Sequence, residues 1–189
     1  MKQIKQILAA LAVALLSIGC TSNSEYSRYP CRFVFNTQQH ANSAALLSAS
    51  NPASPGVFCK VSTVMKGGAE YFHFATNQGQ SDDVPFTSID KQTTVALGMN
   101  NGLIFGYGNL SDPMTFYGYD AECPNCFNPD NIPVVSRPLS MTDAGMARCA
   151  VCKREYNMNT GGNIVKGDAG KGLTRYHASA NGIVVSVVN

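Results

Sequence analysis

Two Cys-x-x-Cys pairs constrain this chain more than any other feature: Cys123-Pro-Asn-Cys126 and, after 22 intervening residues, Cys149-Ala-Val-Cys152. A Cys-x-x-Cys knuckle sets two thiolates on one side of a tight turn. Two knuckles facing each other surround one point with four sulfurs, at the bond length of about 2.3 Å that tetrahedral zinc requires. Four thiolates also suit an iron–sulfur cluster. The pattern therefore predicts a metal centre on Cys123, Cys126, Cys149 and Cys152 without naming the metal. A thiol–disulfide exchange site is a third reading, because a two-residue spacing can close a bridge. One such motif suffices for redox work, so the presence of two argues for metal.

The N-terminus predicts a compartment. Lys2 and Lys5 precede an apolar run from Ile7 to Ile18. That run is shorter than the roughly 20 apolar residues a membrane-spanning helix needs, and it reads as a secretory signal over residues 1–19. It ends at Ser17-Ile18-Gly19-Cys20, with Leu15 and Leu16 just before. A small residue before a cysteine resembles a bacterial lipoprotein signal, which makes Cys20 the expected lipidated residue. Ser17 departs from the leucine usual at that position. The expected location is the bacterial cell envelope, with the chain tied to a membrane by its lipid and residues 21–30 serving as a polar tether.

The whole chain carries 14 basic and 12 acidic side chains. Removing Lys2 and Lys5 leaves 12 of each, so the mature chain has no basic excess to attract nucleic acid. The seven cysteines divide as one for lipid, four for metal and two remaining, Cys31 and Cys59. In an exported protein an oxidised pair is the default for those two. A bridge closing that 29-residue loop would stabilise by about 2–4 kcal/mol.

Residues 31–189 read as one mainly β domain. Apolar alternation and β-branched or aromatic runs mark strands at Arg32–Phe35, Val57–Met65, Glu70–Ala75, Thr93–Leu97, Leu103–Tyr107 and Thr115–Tyr119. Leu173–Ala178, Asn181-Gly182 and Ile183–Val188 form a hairpin signal. Gly67-Gly68 and Asn100-Asn101-Gly102 mark turns, and Ala41–Ser50 predicts a short helix ended by Asn51-Pro52. Short strands at this spacing predict an antiparallel sandwich or barrel.

No catalytic constellation emerges. There is no Gly-x-Ser-x-Gly elbow and no phosphate-binding glycine loop. Asp82-Asp83 reads as a solvated turn, and His40, His73 and His177 read as ordinary strand or turn residues. The aromatic residues Tyr71, Phe72, Phe74, Phe105, Tyr107, Phe116, Tyr117 and Tyr119 lack basic interleaving and read as core and sheet surface.

The second knuckle and the residues after it, Cys149-Ala-Val-Cys152-Lys-Arg-Glu-Tyr156-Asn157 through Gly161-Gly162, resemble the second cluster-binding loop of Rieske proteins. The continuation from Gly167-Asp168 to Leu173-Thr-Arg175-Tyr176 extends that resemblance into the closing hairpin. More closely, the chain resembles exported Rieske-like lipoproteins of Bacteroidetes-type bacteria with Cys-Pro-x-Cys and Cys-x-x-Cys loops. The resemblance covers Tyr119–Asn189, and more weakly Cys31–Tyr107. It implies antiparallel sheets with a small zinc-ribbon-like subdomain, its metal loops lying within residues 119–162. The Rieske pattern uses one histidine per loop; here Cys126 lies one residue later than the expected first histidine, and Cys152 replaces the second. That loss favours structural zinc in a non-enzymatic domain, with an all-cysteine 2Fe-2S electron-transfer centre as the alternative. Zinc knuckles often place glycine directly after the second cysteine, whereas Phe127 and Lys153 occupy those places. No protein or redox partner is named by the sequence.

Overall fold

The computed structural model describes residues 25–110 and 112–189. The expected signal segment, Cys20 and the first residues of the tether lie outside the described residues. Among the described residues, twelve strands form two antiparallel sheets. Those of the larger sheet are β1 (Arg32–Asn36), β2 (Phe58–Lys66), β3 (Ala69–Thr76), β4 (Ser81–Pro85), β5 (Leu103–Tyr107), β6 (Phe116–Asp120), β11 (Arg175–Ala180) and β12 (Val184–Val188). Their order is β1-β12-β11-β6-β5-β2-β3-β4.

This sheet curls into a half-barrel. Phe33 and Phe35 on one edge strand meet Phe72 and Phe74 near the opposite edge, with centroids 5.7 Å apart for Phe33–Phe72 and 5.4 Å for Phe35–Phe74. Alternation puts one face of each strand inside: Phe72, Phe74, Val185 and Val187 are buried while their neighbours are more open. Helix α1 (Ala44–Ala49) contributes Ala45, Leu46 and Ala49 to the same core.

A second core forms on the outer face of the curl. Strand β5 is buried on both faces, Leu103 and Phe105 pointing into the first core and Ile104 into the second. Phe58, Ile104, Tyr117 and Tyr119 carry the smaller sheet. It is built of β7 (Leu139–Met141), β8 (Met146–Cys149), β9 (Glu155–Asn157) and β10 (Asn163–Lys166), in the order β10-β9-β8-β7. Ala147, Cys149 and Tyr156 pack down from it, joined by Met158 in the turn after β9.

Several expectations are corrected. Thr93–Leu97 is not a strand; a capping box between Thr87 and Asp90 starts helix α2 (Ser88–Gln92), and beyond it only Ala96 bridges Arg32. The helix within Ala41–Ser50 begins at Ala44, because Ser43 caps it by accepting from the Leu46 amide at 3.0 Å. Asp82-Asp83 lies within β4 rather than a solvated turn. Asp82 accepts from Ser43 Oγ at 3.0 Å and from the Ala45 amide at 2.7 Å. Asp83 pairs with Lys66 and His73, and the Lys66 hydrogen bond, then that of His73, holds its carboxyl below the usual range. Glu25–Pro30 does not stand off as a tether: Ser27 donates its amide to Arg175 O at 2.7 Å and Tyr26 stacks on His177 at 3.9 Å.

The Cys31–Cys59 disulfide is also corrected. Both residues are buried free thiols in the first core. Cys31 Sγ donates to Val187 O at 3.3 Å and Cys59 Sγ to Lys60 O at 3.6 Å. Each sulfur thus has its own carbonyl partner. Free cysteine packs as a small hydrophobe, and burial pushes the Cys31 thiol up to about 12 and Cys59 higher still.

Candidate metal centre

Both knuckles are built by backbone turns that the second core supports. The first comes after β6: Cys126 and Phe127 donate their amides to Cys123 O at 3.2 and 2.9 Å. Its root is fixed by two buried carboxylates. Asp120 accepts from the Met99 amide at 2.7 Å, the Glu122 amide at 2.8 Å and Tyr176 Oη at 2.9 Å. Glu122 accepts from Asn100 Nδ2 at 2.7 Å, Ser136 Oγ at 2.6 Å and the Arg137 amide. The second knuckle is the turn of the β8–β9 hairpin, closed by Lys153 N donating to Cys149 O at 3.1 Å and Cys149 N donating to Arg154 O at 3.0 Å.

The two turns face each other. Cys123 Sγ lies 3.7 Å from Cys152 Sγ, and Cys149 Sγ lies 3.8 Å from Cys126 Sγ. All four sulfurs fall within 4.8 Å of one another. Cys123 and Cys149 are buried, and Cys126 and Cys152 are half-buried toward the surface. Among the described residues this is the one group of three or more cysteine, histidine or acidic side chains placed to hold a metal ion.

Several groups around the sulfurs carry no signal in the spacing. Tyr156, fully buried, has its hydroxyl 3.4 Å from Cys123 Sγ and accepts from Asn125 Nδ2 at 2.9 Å. Asn125 also donates to Lys171 O at 2.7 Å and accepts from the Lys171 amide at 2.9 Å. Arg154, two residues past Cys152, donates to the carbonyls of Asp168 and Ala169 at 2.9 and 3.0 Å. The loop after β10 is thus fastened to both knuckles. Asn125 inside the first pair and Tyr156 four residues past the second are the traces that sequence could have offered.

Electrostatics favours a cation among the sulfurs. Burial raises the Cys123 thiol against the hydrogen bond from Tyr156. Burial, then the neighbouring Cys152 and Cys149, pushes Cys126 up to about 12. For Cys152 burial again raises the thiol but is overcome by the Arg154 amide and side chain, with Cys126 and Cys149, bringing it down to about 6. A like-charge pair 4 Å apart costs about 4 kcal/mol at an effective dielectric of 20. Four thiolates this close therefore need a positive ion at their centre, and binding one releases protons.

The three histidines lie elsewhere. His40 contacts Asp90 Oδ2 and Asn36 O, each at 2.8 Å, and His73 contacts Asp83 Oδ1 at 2.8 Å. His40 thus meets a carboxylate brought from a distant part of the chain, and His73 meets the residue directly opposite it on β4. His177 stacks on Tyr26. No protein-family model matches the chain, and neither a curated protein nor a solved structure does.

Proposed function

We propose that the chain is an envelope-anchored domain whose Cys123, Cys126, Cys149 and Cys152 hold a single zinc ion as a structural clamp. The observation that carries this is the sulfur spacing. Four ligands at about 2.3 Å around one tetrahedral ion stand about 3.8 Å apart, and two cross-knuckle pairs are 3.7 and 3.8 Å apart. A 2Fe-2S cluster separates the thiolates of its two irons by more than about 5 Å, and no pair of these sulfurs reaches that distance. The outer groups fit a closed site too. Tyr156 Oη lies 3.4 Å from one sulfur and Arg154 offers positive charge to another, as ligand-orienting neighbours do.

The Rieske-like lipoprotein reading belongs to the same proposal, supported by two loops that converge on one point beside a small antiparallel sheet. In this reading the scaffold keeps its metal loops and gives up redox chemistry, and the ion's work is to lock the β8–β9 turn onto the turn after β6. The role is binding or scaffolding rather than catalysis.

Elemental analysis with a visible spectrum tests it. One zinc per chain and no colour is the expected result. Two irons with brown colour would establish the electron-transfer alternative, and one iron per chain would make the centre a mononuclear iron site instead.

A further inference from the structure

The loop joining the first knuckle to β7 has no core to enter. Ile132 is 99% exposed, Val134 51% and Val135 43%, with exposed Pro133 between them. Nothing within the loop covers them: the turn at its base closes by Asn131 N donating to Asn128 O at 3.4 Å, and Glu122 fastens the far end at Ser136 and Arg137. A run of four exposed apolar residues on a polar turn is a surface built to meet something apolar.

The path of the N-terminal segment says what that is. Glu25 pairs with Arg175. From there the chain runs past Leu173 and Thr174 to Tyr29, which shares a depression of about 310 Å³ with Pro124, Phe127, Asn128 and Pro129 at the base of the same loop. Five residue steps separate Glu25 from Cys20, and they span at most about 18 Å. A lipid on Cys20 would hold Glu25 within that distance of the bilayer, and the chain from Glu25 to Tyr29 leads to the base of the loop. The charges nearby agree: Lys171 lines the same depression and Arg137 closes the loop, against Asp130 within it. Basic side chains beside an apolar tip suit anionic headgroups over acyl chains.

We propose that the Ile132–Val135 loop inserts into the bilayer that carries the lipid anchor, giving the domain a second membrane contact and a fixed orientation. This rests on the lipid-anchor reading and goes beyond it. The absence of tryptophan provides the probe. Ile132→Trp places a single tryptophan at the tip. Ile183→Trp places one in the β11–β12 turn, at the far end of β11 from Arg175.

The full lipidated chain would be reconstituted in phosphatidylglycerol–phosphatidylethanolamine vesicles, with and without brominated acyl chains. The expected result is flotation with the vesicles, with Ile132→Trp emission shifted to shorter wavelength and quenched by bromine, and Ile183→Trp unaffected. Flotation without quenching at position 132 would overturn the loop proposal and leave the anchor standing. Equal quenching at both positions would overturn the orientation. A chain that does not float would overturn both anchor and loop.

Discussion

Lys153 closes the second knuckle in a conformation that suits glycine. Its φ is 60°, and among the described residues only Asn101 shares a positive φ without being glycine. The left-handed region costs an L-residue about 1–2 kcal/mol. Replacing lysine by glycine removes that cost but returns about 0.4–1 kcal/mol through the freer unfolded chain. The Lys153 side chain is exposed and its closing hydrogen bond is a backbone one, N to Cys149 O, which any residue but proline keeps. The net expectation for Lys153→Gly is a gain of about 0.5–1 kcal/mol. At about 2–4 °C per kcal/mol for a domain of this size, the melting temperature rises by about 1–4 °C. Lys153→Asn should fall between, since asparagine tolerates this region, and Lys153→Val should lose more than about 1 kcal/mol because a β-branched residue fits it worst. Thermal unfolding at fixed free zinc is the assay, because a bound ion shifts apparent stability by mass action. The order Gly, Asn, Lys, Val is the signature. Valine equal to lysine, or glycine no better, would refute the claim that the turn is held in this conformation.

Other perturbations test the surrounding structure. Tyr156→Phe keeps the packing and removes the hydroxyl at Cys123, so zinc affinity should fall about 10- to 100-fold by competition with a chromophoric chelator while circular dichroism stays unchanged. Cys149→Ser should lose the ion and lower the melting temperature, because binding free energy at a structural zinc site is also folding free energy; equal metal content and stability would contradict the clamp. Alkylation under denaturing conditions without reductant should label both Cys31 and Cys59 by mass spectrometry, whereas no label on either would restore the disulfide. The same thiols set an alkaline limit. Burial lifts Cys31 from 9.0 to about 12 in the fold, so the native state holds its proton while the unfolded chain releases it. Stability present below pH 9 is therefore lost between pH 9 and 12, and Cys31→Ala should flatten that loss. Gly106→Ala should destabilise by about 1–3 kcal/mol or more, since a Cβ there would stand 2.3 Å from Val57 O.

The four-cysteine cluster was legible because its information is local. Each Cys-x-x-Cys is one turn, and a turn's geometry is set by a few consecutive residues. The strands of the half-barrel were legible for the same reason, through alternation in segments such as Glu70–Ala75. What escaped depended on partners far along the chain. Ser81–Pro85 reads as polar because its carboxylates are engaged by partners: Asp82 meets the start of α1 from a remote part of the chain, and Asp83 meets His73 across the β3–β4 pair and Lys66 at the end of β2. The strands of the smaller sheet are three or four residues long and too short to show a period, and they gain their definition from packing on Phe58, Ile104 and Tyr119. The two core cysteines show the limit most clearly. Composition and compartment favoured a bridge, but Cys31 precedes edge strand β1 and Cys59 sits on β2, with β12, β11, β6 and β5 between those strands in the sheet. The curl gathers both sulfurs into one core and gives each a carbonyl of its own. Pairing of cysteines is decided by backbone placement, which a count cannot supply. The convergence of four sulfurs at a single point was anticipated because two rigid turns leave few other ways to shelter four thiols.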